Sequence, residues 1–124
     1  MQSGINARAI DFAKFGRLYL DQGNWNGTQI IPSDWVLEST SPGPNDHRVW
    51  RSYADWKEAN GYYKYQWWGR LNLDGTYDYT AMGHLGQFIF VAPQEKMIIV
   101  RFGTDEGGVD DWMSVFQTIT AQVN

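Results

Sequence analysis

Gln87-Phe88-Ile89-Phe90-Val91-Ala92, then Pro93-Gln94-Glu95-Lys96, then Met97-Ile98-Ile99-Val100-Arg101-Phe102, reads as two strands joined by a four-residue connection. Both runs are almost continuously apolar, so at least one strand is expected in a sheet interior, covered on both faces. An antiparallel pair covered in that way requires helices packed on the sheet.

The flanking sequence supplies those helices. Upstream, Ile10, Ala13, Phe15, Leu18 and Tyr19 recur at helical spacing from about Ala7 to Leu20, with Asn6 as the candidate N-cap. Gly16 costs about 1 kcal/mol of helix propensity relative to Ala, which predicts close packing against another backbone there. Downstream, Asp110 is placed to cap a final helix carrying Trp112, Val115, Phe116, Ile119 and Val123 along one side.

Between these ends, Asp21-Gln22-Gly23 stops the first helix and Asn26-Gly27 is a turn. Ser33 or Asp34 can cap a short helix through about Thr40. Ser41-Pro42-Gly43-Pro44-Asn45-Asp46 opens an irregular region, within which Val49 to Trp56 reads as loop or short helix. Tyr62 to Trp68 is aromatic and strand-like, Asp74-Gly75 is a hairpin turn, and Tyr77 to Met82 is a second strand. The expected class is α+β, an antiparallel sheet flanked by N- and C-terminal helices, with no internal repeat or linker.

Composition narrows the function classes. Hydrophobic residues make up 43% of the 124 and aromatics 16%, too much apolar payload for a disordered segment. The seven Trp point to a ligand cleft or to a surface that expects more protein. A net charge of -4, with no Lys/Arg run, offers no electrostatic footprint for nucleic acid. Without cysteine there is no disulfide, thiol nucleophile or thiolate metal site. No apolar run approaches the length of a membrane span. Asp105, Glu106, Asp110 and Asp111 lack calcium-loop spacing and read as a solvated loop with a helix cap. Neither metal nor organic cofactor is expected.

Four segments, in order, carry a family resemblance. They are Gly4 to Leu20; Gly23-Asn24-Trp25-Asn26-Gly27 with Ile30-Ile31-Pro32 and Trp35; Gly61 to Gly69 with Tyr65-Gln66-Trp67-Trp68; and Gly83-His84-Leu85-Gly86-Gln87 with the two strands after it. Together they resemble the C-terminal region of the serine β-lactamase and penicillin-binding-protein-like hydrolases, in particular the group around class C β-lactamases and related esterases. The resemblance implies the C-terminal portion of a β-lactamase-like (transpeptidase-like) fold. Residues 1–124 would then be a single incomplete domain beside a mostly helical region, with the active site between them.

It also implies a chemistry. Members carry a Ser-x-x-Lys motif whose Ser attacks the acyl carbon, then a Tyr-x-Asn-type motif, then a Lys/His-x-Gly motif at a strand. None of Ser3, Ser33, Ser39, Ser41, Ser52 and Ser114 has Lys three residues on, and no Tyr has Asn two residues on. The first two motifs are expected N-terminal to this segment, and whether Met1 is the natural start is open. His84-Leu85-Gly86 matches the third. On that reading His84 contributes a hydrogen bond or charge near the acyl oxygen or a substrate carboxylate. Gly86 admits close approach of the strand, and the Gln87 amide joins the oxyanion hole. Leu85, where β-lactam-specialised members have a small hydroxyl residue, favours an esterase, amidase or peptidase-like relative.

Plainer readings stand beside these. His84 can be a packed or capping residue, Gly83 and Gly86 can serve a bulge or turn, and His47 reads as surface. Tyr65, Trp67 and Trp68 can line the substrate cleft, but strand alternation allows only one of the adjacent Trp residues to face it. The expected function is therefore the C-terminal part of a serine hydrolase acting on an ester, amide or peptide substrate, inactive alone without its nucleophile. Its partner is the missing N-terminal part, or another copy through exposed apolar surface. The alternative is a non-catalytic ligand-binding or assembly protein that keeps the sheet and cleft. Substrate and compartment stay open.

Overall fold

The computed structural model describes residues 4–44, 46 and 60–123. The expectations for His47 and for Val49 to Trp56 fall outside the described residues. Among the described residues three helices and seven strands run in the order α1 (Ala9–Leu20), β1 (Asn24–Trp25), β2 (Thr28–Gln29), α2 (Ser33–Thr40), β3 (Gly61–Lys64), β4 (Trp67–Leu71), β5 (Tyr77–Gly83), β6 (Gln87–Ala92), β7 (Met97–Arg101) and α3 (Trp112–Val123). Strands β3 to β7 form one antiparallel sheet in sequence order, and β1–β2 is a separate small hairpin. Among the described residues no helix is long and apolar enough to cross a membrane.

The decisive strand behaves as its composition requires. β6 lies between β5 and β7, and Phe88 to Ala92 are all buried. Ile89 and Val91 face α1, where an added Cβ at Gly16 would stand 3.0 and 3.6 Å from their methyls and 2.9 Å from that of Ile98 on β7. Gly16 thus packs closely on β-branched side chains, not on a backbone. Phe88, Phe90 and Ala92 face the other way into a cluster with Met113 and Phe116 of α3. Helices on both faces explain why these runs do not alternate with polar residues.

The α1 face is aromatic toward the far edge of the sheet. Tyr19, Val36, Trp67, Tyr79 and Val91 form its buried cluster, and Trp67 sits 4.7 Å from Tyr19 and 5.0 Å from Tyr79 between ring centroids. The α3 face is polar in the corresponding region. There buried Arg70 donates to both carboxylate oxygens of Asp111 (3.1 and 3.0 Å) and to the Ser114 hydroxyl (2.8 Å). Gln117 donates to Asn72 (2.9 Å) and to buried Asp78 (2.8 Å).

Four sequence expectations are corrected. α1 starts at Ala9 behind Arg8, not behind Asn6, and no side chain caps it. Pro32, not Ser33 or Asp34, precedes α2, because its fixed φ (-54°) suits the residue entering a helix. The cap of α3 is Asp111, whose carboxylate accepts the Ser114 amide at 3.2 Å, and the buried residues of that helix are Met113, Phe116 and Thr120, with Ile119 and Val123 exposed. Tyr62 to Trp68 is not one strand. Tyr65 and Gln66, at φ 46° and 74°, make a two-residue hairpin turn between β3 and β4. Neither residue type advertises a left-handed turn, which favours Gly, Asn or Asp.

Candidate functional site

Strand register fixes which loops meet. Lys64 pairs with Trp67 at the β3–β4 turn, Gly83 pairs with Gln87 at the β5–β6 turn, and Phe88 pairs with Arg101 near the end of β7. All three lie at one end of the sheet. The two turns are two strand spacings apart, roughly 10 Å.

At that end a cavity of about 730 Å³ opens between the segment leading into α1 and the ends of β5, β6 and β7. It is lined by Gly4 to Ala7, Phe12, Ala81 to His84, Gln87 to Ile89 and Phe102. Phe12 meets Phe102 edge-on at 5.1 Å between ring centroids, joining α1 to the strand ends. Ile5, Met82 and Phe102 are exposed, so the rim is apolar. Among the described residues His84 is the one lining residue with a titratable side chain, and it is exposed. No Ser, Thr, Tyr or Lys lines the cavity among the described residues. Its own chemistry is thus a hydrogen-bonding imidazole and backbone amides beside an apolar wall.

The three third-motif residues separate. His84 and Gln87 line the cavity, whereas Gly86 does not. Gly86 is buried at φ 71°, and a Cβ there would overlap the guanidinium of Arg101, so its lack of a side chain accommodates Arg101. The side-chain amide of Gln87 donates to the carbonyl oxygen of Gly103, which commits it to the loop after β7.

None of the three aromatic candidates lines this cavity. Trp67 is 4% exposed and belongs to the core beside Tyr19 and Tyr79. Trp68 points to the opposite face and is half-buried, edge-on to Tyr63 at 4.8 Å. Tyr65 is exposed and packs on Trp35 at 5.0 Å, at the same end of the sheet as His84. In the acidic group, the Asp105 carboxylate accepts the Gly107 amide (2.8 Å) and Asp111 holds Arg70 and caps α3.

Sequence reasoning missed Arg101, which the turn residues embrace, and Phe12, which completes the cavity wall. The signal for the first was a set of glycines, Gly86, Gly103 and Gly107, within two loops that flank one arginine.

No family model matches the chain. The 6-aminohexanoate-dimer hydrolase of Paenarthrobacter ureafaciens is 26% identical over 101 residues, which are 82% of this chain and 25% of that protein. A solved structure from Bacillus anthracis, named "Putative 6-aminohexanoate-dimer hydrolase", superposes with a TM-score of 0.71 at 30% identity, covering 97% of this chain and 29% of that one. The chain therefore spans about a quarter of the length of the curated relative it matches. The α+β fold, with its antiparallel sheet flanked by helices, is a hydrolase-like fold, and it agrees with the C-terminal portion of a β-lactamase-like fold. Both relatives are named as 6-aminohexanoate-dimer hydrolases, which supports a hydrolase of β-lactamase-like kind at low identity and over part of their length.

Proposed function

We propose that this chain forms the C-terminal part of a β-lactamase-related serine hydrolase that cleaves an amide or ester through an acyl-serine intermediate. The observation that carries the reading is the Gly83–Gln87 turn, which presents His84 and Gln87 to an apolar-rimmed cavity of about 730 Å³. The nucleophile and its lysine belong to a part of the polypeptide outside these 124 residues.

In this mechanism the serine oxygen attacks the acyl carbon while the lysine takes its proton. The carbonyl oxygen becomes an oxyanion stabilised by backbone amides, Gln87 N–H among them. The amine or alcohol leaves with a proton, and water then releases the acid and regenerates the serine. His84 supplies a hydrogen bond or positive charge at the substrate end of the cavity. The apolar rim suits an aliphatic acyl chain, and the 6-aminohexanoate dimer, for which the two relatives are named, is the first amide to try.

The partner proposed for the exposed apolar residues around the cavity is the remainder of the hydrolase polypeptide. In its absence the chain turns over nothing by this route, because members of a catalytic unit lose most of the rate together. The test is expression of the whole reading frame, followed by labelling with a fluorophosphonate probe and assay on the dimer and on p-nitrophenyl butyrate. Covalent labelling with turnover supports the reading. A full-length product that neither labels nor hydrolyses either substrate overturns it in favour of a ligand-binding or assembly role.

A further inference from the structure

Arg101 ends β7, and its side chain leaves the sheet on the α3 face, across from Phe88. The guanidinium carbon lies over the Trp112 ring, 4.2 Å from its centroid, a cation–π contact. Nη1 donates to the Gly86 carbonyl at 2.5 Å, and Nη1 and Nη2 both donate to the Asp105 carbonyl at 3.2 Å. The surrounding backbone is shaped to the group. A Cβ at Gly86 or Gly103 would overlap Nη1, and one at Gly107 would stand 2.9 Å from Nη2. Asp105 turns its carboxylate to the Gly107 amide and gives Arg101 only its carbonyl.

An arginine that serves only to balance charge takes a carboxylate. One whose donors end on backbone carbonyls fixes the course of the chain. Here the consequence is specific, because the Gly86 carbonyl and the Gln87 N–H belong to one rigid trans peptide. Drawing that oxygen onto the guanidinium turns the Gln87 N–H to the opposite side of the peptide. A cation at the carbonyl also polarises the amide, which makes its N–H a stronger donor. Leu85, at φ 61°, is held in a conformation that non-glycine residues avoid, so the turn needs such an external tie.

We infer that Arg101 is the positioning residue of this site: it orients and polarises the Gly86–Gln87 peptide and so sets the Gln87 amide and His84 at the cavity. The inference rests on the hydrolase reading for its catalytic meaning, and on geometry alone for the position of the turn. Arg101 does not line the cavity.

The test uses the full-length protein with Arg101→Ala and Arg101→Lys. In Arg101→Ala the Gln87 amide and His84 ring resonances shift and amide exchange at Gln87 quickens, while core signals from Tyr62 and Trp67 stay in place. Millimolar guanidinium ion, filling the vacated cradle, returns them toward wild type. On p-nitrophenyl butyrate kcat falls about 30-fold with KM within about threefold, as for weakening an oxyanion donor, and guanidinium restores part of it. Arg101→Lys keeps the charge but cannot span both carbonyls, so it shows an intermediate shift; it carries the test if the alanine variant does not fold. A folded variant with an unmoved Gln87 amide overturns the inference, as does an equal loss of core signals without guanidinium rescue. If the wild type itself is inert, the hydrolase reading fails while the resonance shifts still decide the role of Arg101.

Discussion

The ring of Tyr62 lies across the backbone of Gly69 on the neighbouring strand, in the space that a Cβ at position 69 would fill. The same phenol donates from its hydroxyl to the Thr40 carbonyl at 2.5 Å, at the C-terminal end of α2. One side chain thus fills a glycine's gap in the sheet and ties a helix end to it. Gly69→Ala forces the ring out and breaks the tie, so the expected loss is about 3 kcal/mol, combining overpacking with a lost buried hydrogen bond. Tyr62→Phe keeps the packing and is expected to cost only about 1 kcal/mol. Urea unfolding of the two variants checks the ratio, and an alanine at 69 as stable as wild type would refute the packing argument.

Asp111 has two tasks: it pairs with buried Arg70 and it caps α3. Asp111→Ala ends both and leaves a nearly buried guanidinium without its carboxylate. The expected loss is about 2–3 kcal/mol, below the range for a fully buried pair because the Asp111 side chain is 43% exposed. Asp111→Asn retains the cap and is expected to lose about half as much. Thermal unfolding separates the two, and equal losses would show that the cap contributes nothing.

Legibility in the sequence followed the strength of the local physics. The β6–β7 hairpin was readable because apolar runs of strand length flank Pro93, and the helices on both faces followed from the lack of alternation. The turn at Tyr65-Gln66 was not, because it is made by cross-strand pairing of Lys64 with Trp67 and not by turn-forming residues. Parity told that Trp67 and Trp68 face opposite sides, but which of the two enters the core beside α1 depends on register with Tyr79 and Thr80, a tertiary fact. His84 stood out as a lone histidine between glycines. Arg101 did not, since its meaning depends on three glycines and Trp112, brought round it only by folding.

Asp78 gives the protein a pH dependence of unusual sign for a carboxylate. Burial pushes its pKa above the ordinary range, although hydrogen bonds from Gln117 and Asn72 pull the other way. Between the unfolded and folded pKa values the native state binds more protons, so stability falls as pH rises through that window and levels off above it. Asp111 acts oppositely: burial raises its pKa, but the Ser114 hydroxyl and amide and the Arg70 charge outweigh that and hold it below the ordinary range. Its contribution is present above the unfolded pKa and is lost as pH falls through the folded one. Asp78→Asn removes the first effect only. Its stability relative to wild type is expected to improve as pH rises from about 4 toward neutrality; parallel stability curves would contradict the assignment.

His84 is exposed, so His84→Ala is expected to leave the melting temperature within about 1 °C. On the proposed reading, kcat/KM of the full-length hydrolase falls about 100-fold, and His84→Lys, the commoner residue of the third motif, recovers part of it. Unchanged kinetics in His84→Ala would remove the residue from the site and leave the cavity without its titratable group.

Among the described residues β7 is one of the two outer strands of the sheet, and Met97 to Val100 carry no charge or proline to blunt its edge. Both faces of the sheet are covered by helices, so what the edge still offers is backbone hydrogen bonding beside half-buried apolar side chains. Expressed alone, residues 1–124 are expected to self-associate at concentrations on the order of 10 µM, through this edge and the apolar rim of the cavity. A charged side chain on the outer strand opposes such pairing, so Val100→Lys shifts the population toward monomer, while on the proposed reading the full-length hydrolase, whose remaining chain would cover these surfaces, stays monomeric. Sedimentation velocity across a hundredfold concentration range reads both effects. A 124-residue chain that remains monomeric throughout would show that the edge and the rim are not adhesive, and would withdraw the main physical support for an absent covering partner.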